Sequence, residues 1–401
     1  MSAARASGQA HDHGATSAPT RRTILRALGV GGLAAGLGAL TWRSVDQGVF
    51  SAGEGPAYDA WRDLRHLTGV EALVGAAVLA ASAHNMQNWS FAVAADRIEL
   101  FDDRTRSLGV VDPVRREAEL GLGCALANLE LAGPPAGFSV RTDLLGSNAP
   151  QGPAARATLA PIEPADGGPL FEAIPTRHSD RGAYPAEVPG LDVLARLART
   201  AVDGADGVQI RWLTEADDVD RSGSLLVAAA RALTEDAAMS RDNFAWFRSD
   251  WDEVQRRRDG LTLDAQALTG LTTVAGKMLP ATSRVRGDAM WVDLTREVHT
   301  ATARAYGLVI ADRSDRGARI HAGRALQRLH LALTAEGWSM QHLNQLIEMS
   351  DRERVLGAPA THGAALRALG GTDDVVAMLR VGRPSGDARR SPRRPAREVL
   401  R

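Results

Sequence analysis

Gly123-Cys124-Ala125-Leu126-Ala127-Asn128-Leu129-Glu130-Leu131-Ala132 returns 200 positions later as Gly323-Arg324-Ala325-Leu326-Gln327-Arg328-Leu329-His330-Leu331-Ala332. With Gly137/Ser139 and Gly337/Ser339 included, eight of seventeen ungapped positions are identical. The apolar spacing in both copies predicts a helix, and the small residues suit close helix packing. Two readings follow: a duplicated, fused domain, or two similar helices that share only a packing solution. The order of the flanking segments favours duplication. In each half an apolar helix precedes a loop and a Trp-containing strand, with Trp89 in the first and Trp212 in the second.

A chain of 401 residues with 44% hydrophobic content can bury one large core or build two domains. The 47 basic and 48 acidic residues nearly cancel, so no global field favours nucleic acid or an anionic membrane. Lys277 is the only lysine, which argues against P-loop and Schiff-base chemistry. Cys124 is the only cysteine and lies in a small, apolar run, so neither an internal disulfide nor a Cys-rich metal site can form. No metal is expected.

Residues 1–45 read as a targeting segment. Arg21 and Arg22 precede Thr23-Ile24-Leu25-Arg26 and an uncharged run from Ala27 to Trp42, a pattern like a twin-arginine signal. Export or an N-terminal membrane anchor is the expectation, with a cytoplasmic location if the signal is inactive. The run is shorter than the roughly 20 apolar residues of a spanning helix.

From about Gly55 the pattern is globular. Tyr58 to Ala81 predicts helix in two pieces, Phe91–Ala94 and Arg97–Asp102 predict strands, and Glu117–Leu131 predicts a helix stopped by Gly133-Pro134-Pro135. Gly146 to Pro169 reads as the internal boundary, separating a first half at 55–165 from a second at 166–401. Further helices are expected at Leu191–Ala201, Asp217–Met239 and Ile320–Gly337, with strands at Val208–Leu213 and Val375–Val381. The segment Asn243 to Pro280 resembles an inserted lid.

The polar chemistry is divided between the halves. Ser82-Ala83-His84-Asn85-Met86-Gln87 sets donors and acceptors on a helix-to-strand loop of the first half. Arg177-His178-Ser179-Asp180-Arg181 belongs to the second half. There Arg177, Ser179 and Arg181 alternate along an extended segment and make a phosphate cradle. The competing reading of these arginines is a surface ion pair with Asp180. Gly382-Arg383-Pro384 opens an arginine-rich tail that carries Arg393 and Arg394.

Taken together, these motifs and the Gly123–Ala132 and Gly323–Gly337 stretches over residues 70–401 resemble the Acg-like branch of the nitroreductase superfamily. The resemblance implies an α+β fold of two fused nitroreductase-like halves, helices around mixed β-sheets, in a monomer that imitates a dimer. It implies one FMN per chain, with Arg177, Ser179, Arg181 and Arg393 or Arg394 at the phosphate. Ser82, Asn85 and Gln87 would address the ribityl chain and ring edge, and the backbone amides near Gln341 to Gln345 would reach N5. His84 joins this cofactor set as a hydrogen-bonding residue; no catalytic side chain is assigned. The implied activity passes electrons from NAD(P)H or another donor to an organic acceptor. The alternative is a protein that stores or sequesters FMN. Ala81 and Asn88 stand where the family commonly has proline, which puts the rigidity of the loop in question.

Overall fold

The computed structural model describes residues 42–44, 46–145, 152–268, 270–386 and 388–401. The Arg21–Arg22 pair and residues 1–41 lie outside them. After a short helix α1 (Asp59–Asp63), the first half contains α2 (Gly69–Ala77), β1 (Trp89–Ala94), β2 (Arg97–Asp102), α3 (Arg116–Ala132), β3 (Phe138–Leu144) and β4 (Ala155–Pro161). Next come α4 (Gly168–Ala173), α5 (Leu191–Val202), β5 (Val208–Leu213), α6 (Ala216–Glu235) and α7 (Ala237–Phe244). The segment expected as a lid holds β6 (Phe247–Arg248), α8 (Trp251–Arg257), β7 (Leu261–Thr262) and α9 (Gly270–Met278). The rest of the second half is α10 (Arg284–Leu294), β8 (Tyr306–Ala311), α11 (Arg316–Ala335), β9 (Ser339–His342), α12 (Gln345–Leu356), α13 (Thr361–Gly370) and β10 (Val375–Gly382).

Two four-stranded sheets share one plan. The first runs β1-β2-β4-β3 and the second β5-β8-β10-β9, with each adjacent pair antiparallel. Strand for strand, these orders correspond. The C-terminal tail crosses to the first sheet and adds a parallel bridge, with Phe91 N–H donating to Val399 O (2.8 Å) and Arg401 N–H to Phe91 O (2.8 Å). Tail from the second half thus closes the exposed edge of the first half's sheet.

The repeated stretch forms the centre of the molecule. Helices α3 and α11 touch backbone to backbone at Gly123 and Gly323. A Cβ on Gly123 would lie 2.1 Å from Ile320 O, and one on Gly323 would lie 2.1 Å from Leu120 O. Leu120 and Ile320 are themselves 200 positions apart, so the contact is reciprocal, as at a two-fold axis. Gly137 and Gly337 both adopt positive φ, 83° and 74°, in the turns that lead into β3 and β9. Around the crossing, Gln327 Nε2 donates to Asn128 Oδ1 (2.8 Å) and Asn128 Nδ2 to Ala76 O (2.8 Å). Gln327 Oε1 accepts from Ala81 N (3.1 Å), which fixes the start of the Ser82 loop.

Several expectations need adjustment. Residues 155–161, inside the stretch expected as a boundary, form strand β4. Strand β8, a continuous apolar run buried along its whole length, could not be told from helix by periodicity. Asp217 to Met239 divides into α6 and α7 at Asp236, whose carboxylate caps the second helix. Trp89 opens β1 whereas Trp212 lies near the end of β5, so the two tryptophans are not equivalent positions.

Gly123→Ala is expected to destabilise the protein by about 2 kcal/mol or more, since an overpacked core commonly costs ~1–3 kcal/mol and here backbone carbonyl is what the methyl meets. Gly270→Ala, where the methyl meets nothing within 4 Å, is expected to be neutral. Chemical denaturation of both variants checks this.

Candidate functional site

The Ser82 loop leaves α2 and turns sharply into β1. His84, Asn85 and Gln87 all adopt left-handed φ, 49°, 54° and 51°. Such non-glycine conformations cost on the order of 1–3 kcal/mol each and persist only where surroundings over-determine them. Here they do. Ser82 Oγ accepts from Gln87 N (2.9 Å), and Asn85 Nδ2 donates to Gly260 O (3.2 Å) and Pro392 O (2.9 Å). Gln87 Nε2 donates to Arg258 O (2.8 Å) while its Oε1 accepts from Arg394 N (2.9 Å). His84 Nε2 pairs with Asn243 Oδ1. Asn88, in place of a proline, is buried and donates to Asp102 Oδ1 (2.9 Å) and Ala118 O (3.1 Å). The loop is therefore held rigidly by side chains, and its grips come from the 243–280 segment and the tail.

Beside it lies a cavity of about 300 Å³, within the size range of small-molecule sites. Ser82, His84, Asn85, Arg177, Ser179, Arg181, Gln341 and Arg393 all line it. Two of the expected residues do not. Gln87 is fully buried behind the loop and spends its amide on Arg258 and Arg394. Arg394 points away from the cavity, to Gln87 O (3.4 Å) and Glu398 O (2.9 Å). Both are structural clamps. Of the two tail arginines, Arg393 is the one at the cavity.

The arginines at this wall have no anions of their own. Arg177 is 2% exposed and donates to Leu79 O (3.1 Å) and His330 Nδ1 (3.3 Å), while its Nε has no partner. Arg393 is 3% exposed and donates to Asn85 Oδ1 (2.6 Å), Pro392 O (2.9 Å) and Ala80 O (3.1 Å), and its Nε is likewise unpartnered. Arg181 donates to Ala265 O (3.0 Å). Asp180, the obvious counterion, is turned instead to Gly182 N, Ser385 N and Ser385 Oγ. Among the described residues no carboxylate forms an ion pair with Arg177, Arg181 or Arg393, so the surface ion-pair reading fails. Trp61 packs beneath, its ring centroid 4.8 Å from the Arg393 guanidinium and 6.0 Å from that of Arg177.

Burial of these unpaired cations shows in their acidity. It pushes Arg177 down to about 10, and holds Arg393 well below the ordinary arginine range, with the Arg177 charge adding to the effect. Burying an unpaired ion costs on the order of several kcal/mol, and these guanidinium groups lack the counter-charge that ordinarily offsets it. The adjoining histidines stay neutral. Burial lowers His84 and His178, and takes His342 down to about 3 with help from Arg177 and Arg181.

Sequence reasoning missed other parts of the wall: Trp61, Glu117 and Glu348, together with Phe244, Phe247 and Leu263 of the 243–280 segment, and it named Gln345 only for its backbone. The Nε2 of Gln345 is buried without a partner. None of these positions sits in a local motif; only the fold gathers them. The 243–280 segment is fastened by Lys277, whose Nζ donates to Asp264 Oδ2 (2.8 Å) and Gly48 O (2.9 Å). Among the described residues, no group of three or more His, Cys, Asp or Glu could hold a metal ion.

Over 179 residues the chain is 29% identical to a Mycobacterium tuberculosis protein named Putative NAD(P)H nitroreductase Rv3131, and equally to its counterpart MT3217 in strain CDC 1551. The resemblance is to nitroreductases. The alignment covers 44% of this chain and half the length of those relatives. Among solved structures, the FMN-dependent nitroreductase NfnB from Mycobacterium smegmatis, in complex with NADPH, is 15% identical at a TM-score of 0.40, covering 59% of this chain and 99% of that one. A nitroreductase from Anabaena variabilis is 14% identical at a TM-score of 0.39, over 76% and 82% of the two chains. No protein-family model matches the chain.

His342 is expected to stay neutral from pH 5 to 8, so its ring proton signals in NMR do not move over that range; a midpoint near 6.5 contradicts the buried environment. Because its folded value lies below the unfolded one, its contribution to stability is complete above about pH 6.5 and is lost as pH falls toward 3.

Proposed function

We propose that this chain binds one FMN at the junction of its halves and works as a nitroreductase-type oxidoreductase, taking electrons from NAD(P)H and passing them to an organic acceptor. The observation that carries the reading is the convergence of Arg177, Arg181 and Arg393, unpaired cations, on one cavity beside a rigid polar loop. A phosphate monoester supplies the missing anion, and arginine binds it through paired N–H donors. Ser82 and Gln345 offer hydrogen bonds for the polyol and ring edges of a flavin, and Asn85, which lines the cavity, holds Arg393 through its Oδ1. The flavin, when bound, supplies the electron chemistry; the protein binds, orients and excludes water. The nitroreductase likeness of the M. tuberculosis relatives supports the same activity.

The common plan of the two sheets and the reciprocal Gly123/Gly323 contact support an origin by duplication and fusion, with the two halves standing for the two subunits of a dimer. The first half then supplies Ser82 and Asn85, and the second supplies Arg177, Ser179, Arg181 and Arg393. We further propose residues 1–45 as an export signal or anchor; among the described residues no helix is long and apolar enough to cross a membrane.

One observation favours the second reading, FMN storage. The 243–280 segment forms part of the cavity wall and Arg181 is tied to it through Ala265 O. A segment that stays closed sequesters flavin; one that opens admits a donor and an acceptor. Anaerobic mixing of the FMN-loaded protein with NADH or NADPH separates the two: rapid bleaching of the flavin absorbance is expected, and no reduction by either nucleotide favours storage. No binding of added FMN sinks both.

Arg177→Ala and Arg181→Ala are each expected to weaken FMN binding by roughly ten- to a hundredfold, the equivalent of ~1.5–3 kcal/mol per charge-assisted contact. Arg104→Ala, an exposed change, leaves FMN titrations unaltered. Equal losses in all three variants contradict a phosphate site.

A further inference from the structure

We infer that the face built by α9, the start of α10 and Trp42 docks on a lipid surface, with one edge of the cavity turned toward the bilayer. The inference rests in part on the anchor reading of residues 1–45.

Residues 265–283 contain a single charge, Lys277, in a chain that is 24% charged. That lysine is buried, its Nζ spent on Asp264 Oδ2 and Gly48 O, so it gives the surface no charge. The carboxylates flanking the stretch are withdrawn as well. Asp264 and Asp288 are both buried, and Asp288 pairs with Arg284 at 3.5 Å. What remains outside is apolar. Leu271 is 86% exposed, Val285 69%, Leu279 62% and Val274 40%. Four of the twelve exposed large apolar side chains among the described residues thus fall within 271–285. A single exposed leucine is ordinary, but this concentration marks a contact surface.

Trp42, also largely exposed, sits at the same place. Arg43, the next residue, donates from Nε to Met278 O (2.8 Å) and from Nη2 to Leu279 O (3.4 Å), which ties Trp42 to the end of α9. Two observations then favour lipid over a protein partner. Residues 27–42 carry no charge and lead directly into this face. Alone that run is short of the roughly 20 residues of a spanning helix, and stable attachment to a membrane commonly takes two signals. An apolar face at the end of the run supplies the second. The charges at its border are mainly positive. Arg286 is exposed and has no ion-pair partner among the described residues, while Arg43 is bound only to backbone carbonyls; Asp46 is the one acid in residues 42–50. Tryptophan and arginine at the rim of an apolar patch suit the headgroup level of an anionic bilayer.

The cavity opens beside this face. Of the residues that line it, Ser249, Ala281 and Thr282 are exposed, and the last two lie between Leu279 and Val285. Gly276 and Gly287, on α9 and α10, line the cavity from the same segment. Docked by this face, the protein takes in small molecules at Ala281 and Thr282 from the lipid side.

The test uses the full-length protein and vesicles of phosphatidylcholine with phosphatidylglycerol. Wild type should sediment with the vesicles at high salt as well as at low salt, because apolar contact is not screened. Replacing the three most exposed side chains together, Leu271→Ser, Leu279→Ser and Val285→Ser, should weaken vesicle binding by at least about tenfold. Leu191→Ser, at a similarly exposed leucine on α5, should bind as wild type does. The second arm needs no loss of binding. Cys124 is buried, so in Ser283→Cys a polarity-sensitive maleimide dye attaches at 283 alone. Its emission should shift to the blue when vesicles are added, and that of a dye at Leu191→Cys should not. No vesicle binding by wild type, undiminished binding by the triple variant, binding that vanishes at high salt, or no blue shift at 283 in vesicle-bound protein overturns the docking face. A dimer in vesicle-free solution that the triple variant abolishes assigns the face to a second copy and also overturns it. Chains that begin after Trp42 when isolated from cells strike the anchor reading, while the dye at 283 still decides the docking.

Discussion

The close crossing of α3 and α11 at Gly123 and Gly323 is the constraint on which the rest depends. With no side chain at either position, the two backbones meet directly. Gln327 bridges the helices through Asn128 and reaches Ala81 N, where the Ser82 loop begins. The helix contact, the loop and the cavity are thus one mechanical unit. A methyl at the crossing would push apart the two halves that build the site.

Electrostatics then gives the site its character. Proteins ordinarily pair buried charges, and Asp180 lies next to Arg181 in sequence, yet its carboxylate is spent on Ser385 and Gly182. Arg177 and Arg393 are left as neighbouring cations over one tryptophan. Such an arrangement weakens the protein on its own and becomes favourable once an anion lies between the guanidinium groups. The opposite holds at Arg116, a buried cation that does have carboxylates beside it, Asp351 at 2.8 Å and Glu117 at 3.5 Å.

Much of the fold was legible because it has a periodic signal. Leu and Ala spacing marked α3 and α11, alternation marked β2 and β5, and the repeat at 200 residues pointed to the halves. Strand β8 lacked a distinguishing period because both its faces are covered, and β4 hid in a Pro/Gly-rich stretch. At the site, Arg177, Ser179 and Arg181 could be seen as a local motif. Gln87 and Arg394 looked identical in kind to Asn85 and Arg393, but the register of the tail decides which of each pair faces the cavity. Glu117 and Glu348 carry no local motif: 231 positions separate them, and only the fold sets both in one cavity wall.

The central claim is a single flavin site divided between two halves of one chain. It is tested most directly by titrating the purified protein with FMN while its mass in solution is followed by sedimentation. The account requires one FMN per 401-residue chain, bound to a monomer. Two FMN per chain, or binding that appears only in a dimer of chains, would contradict it.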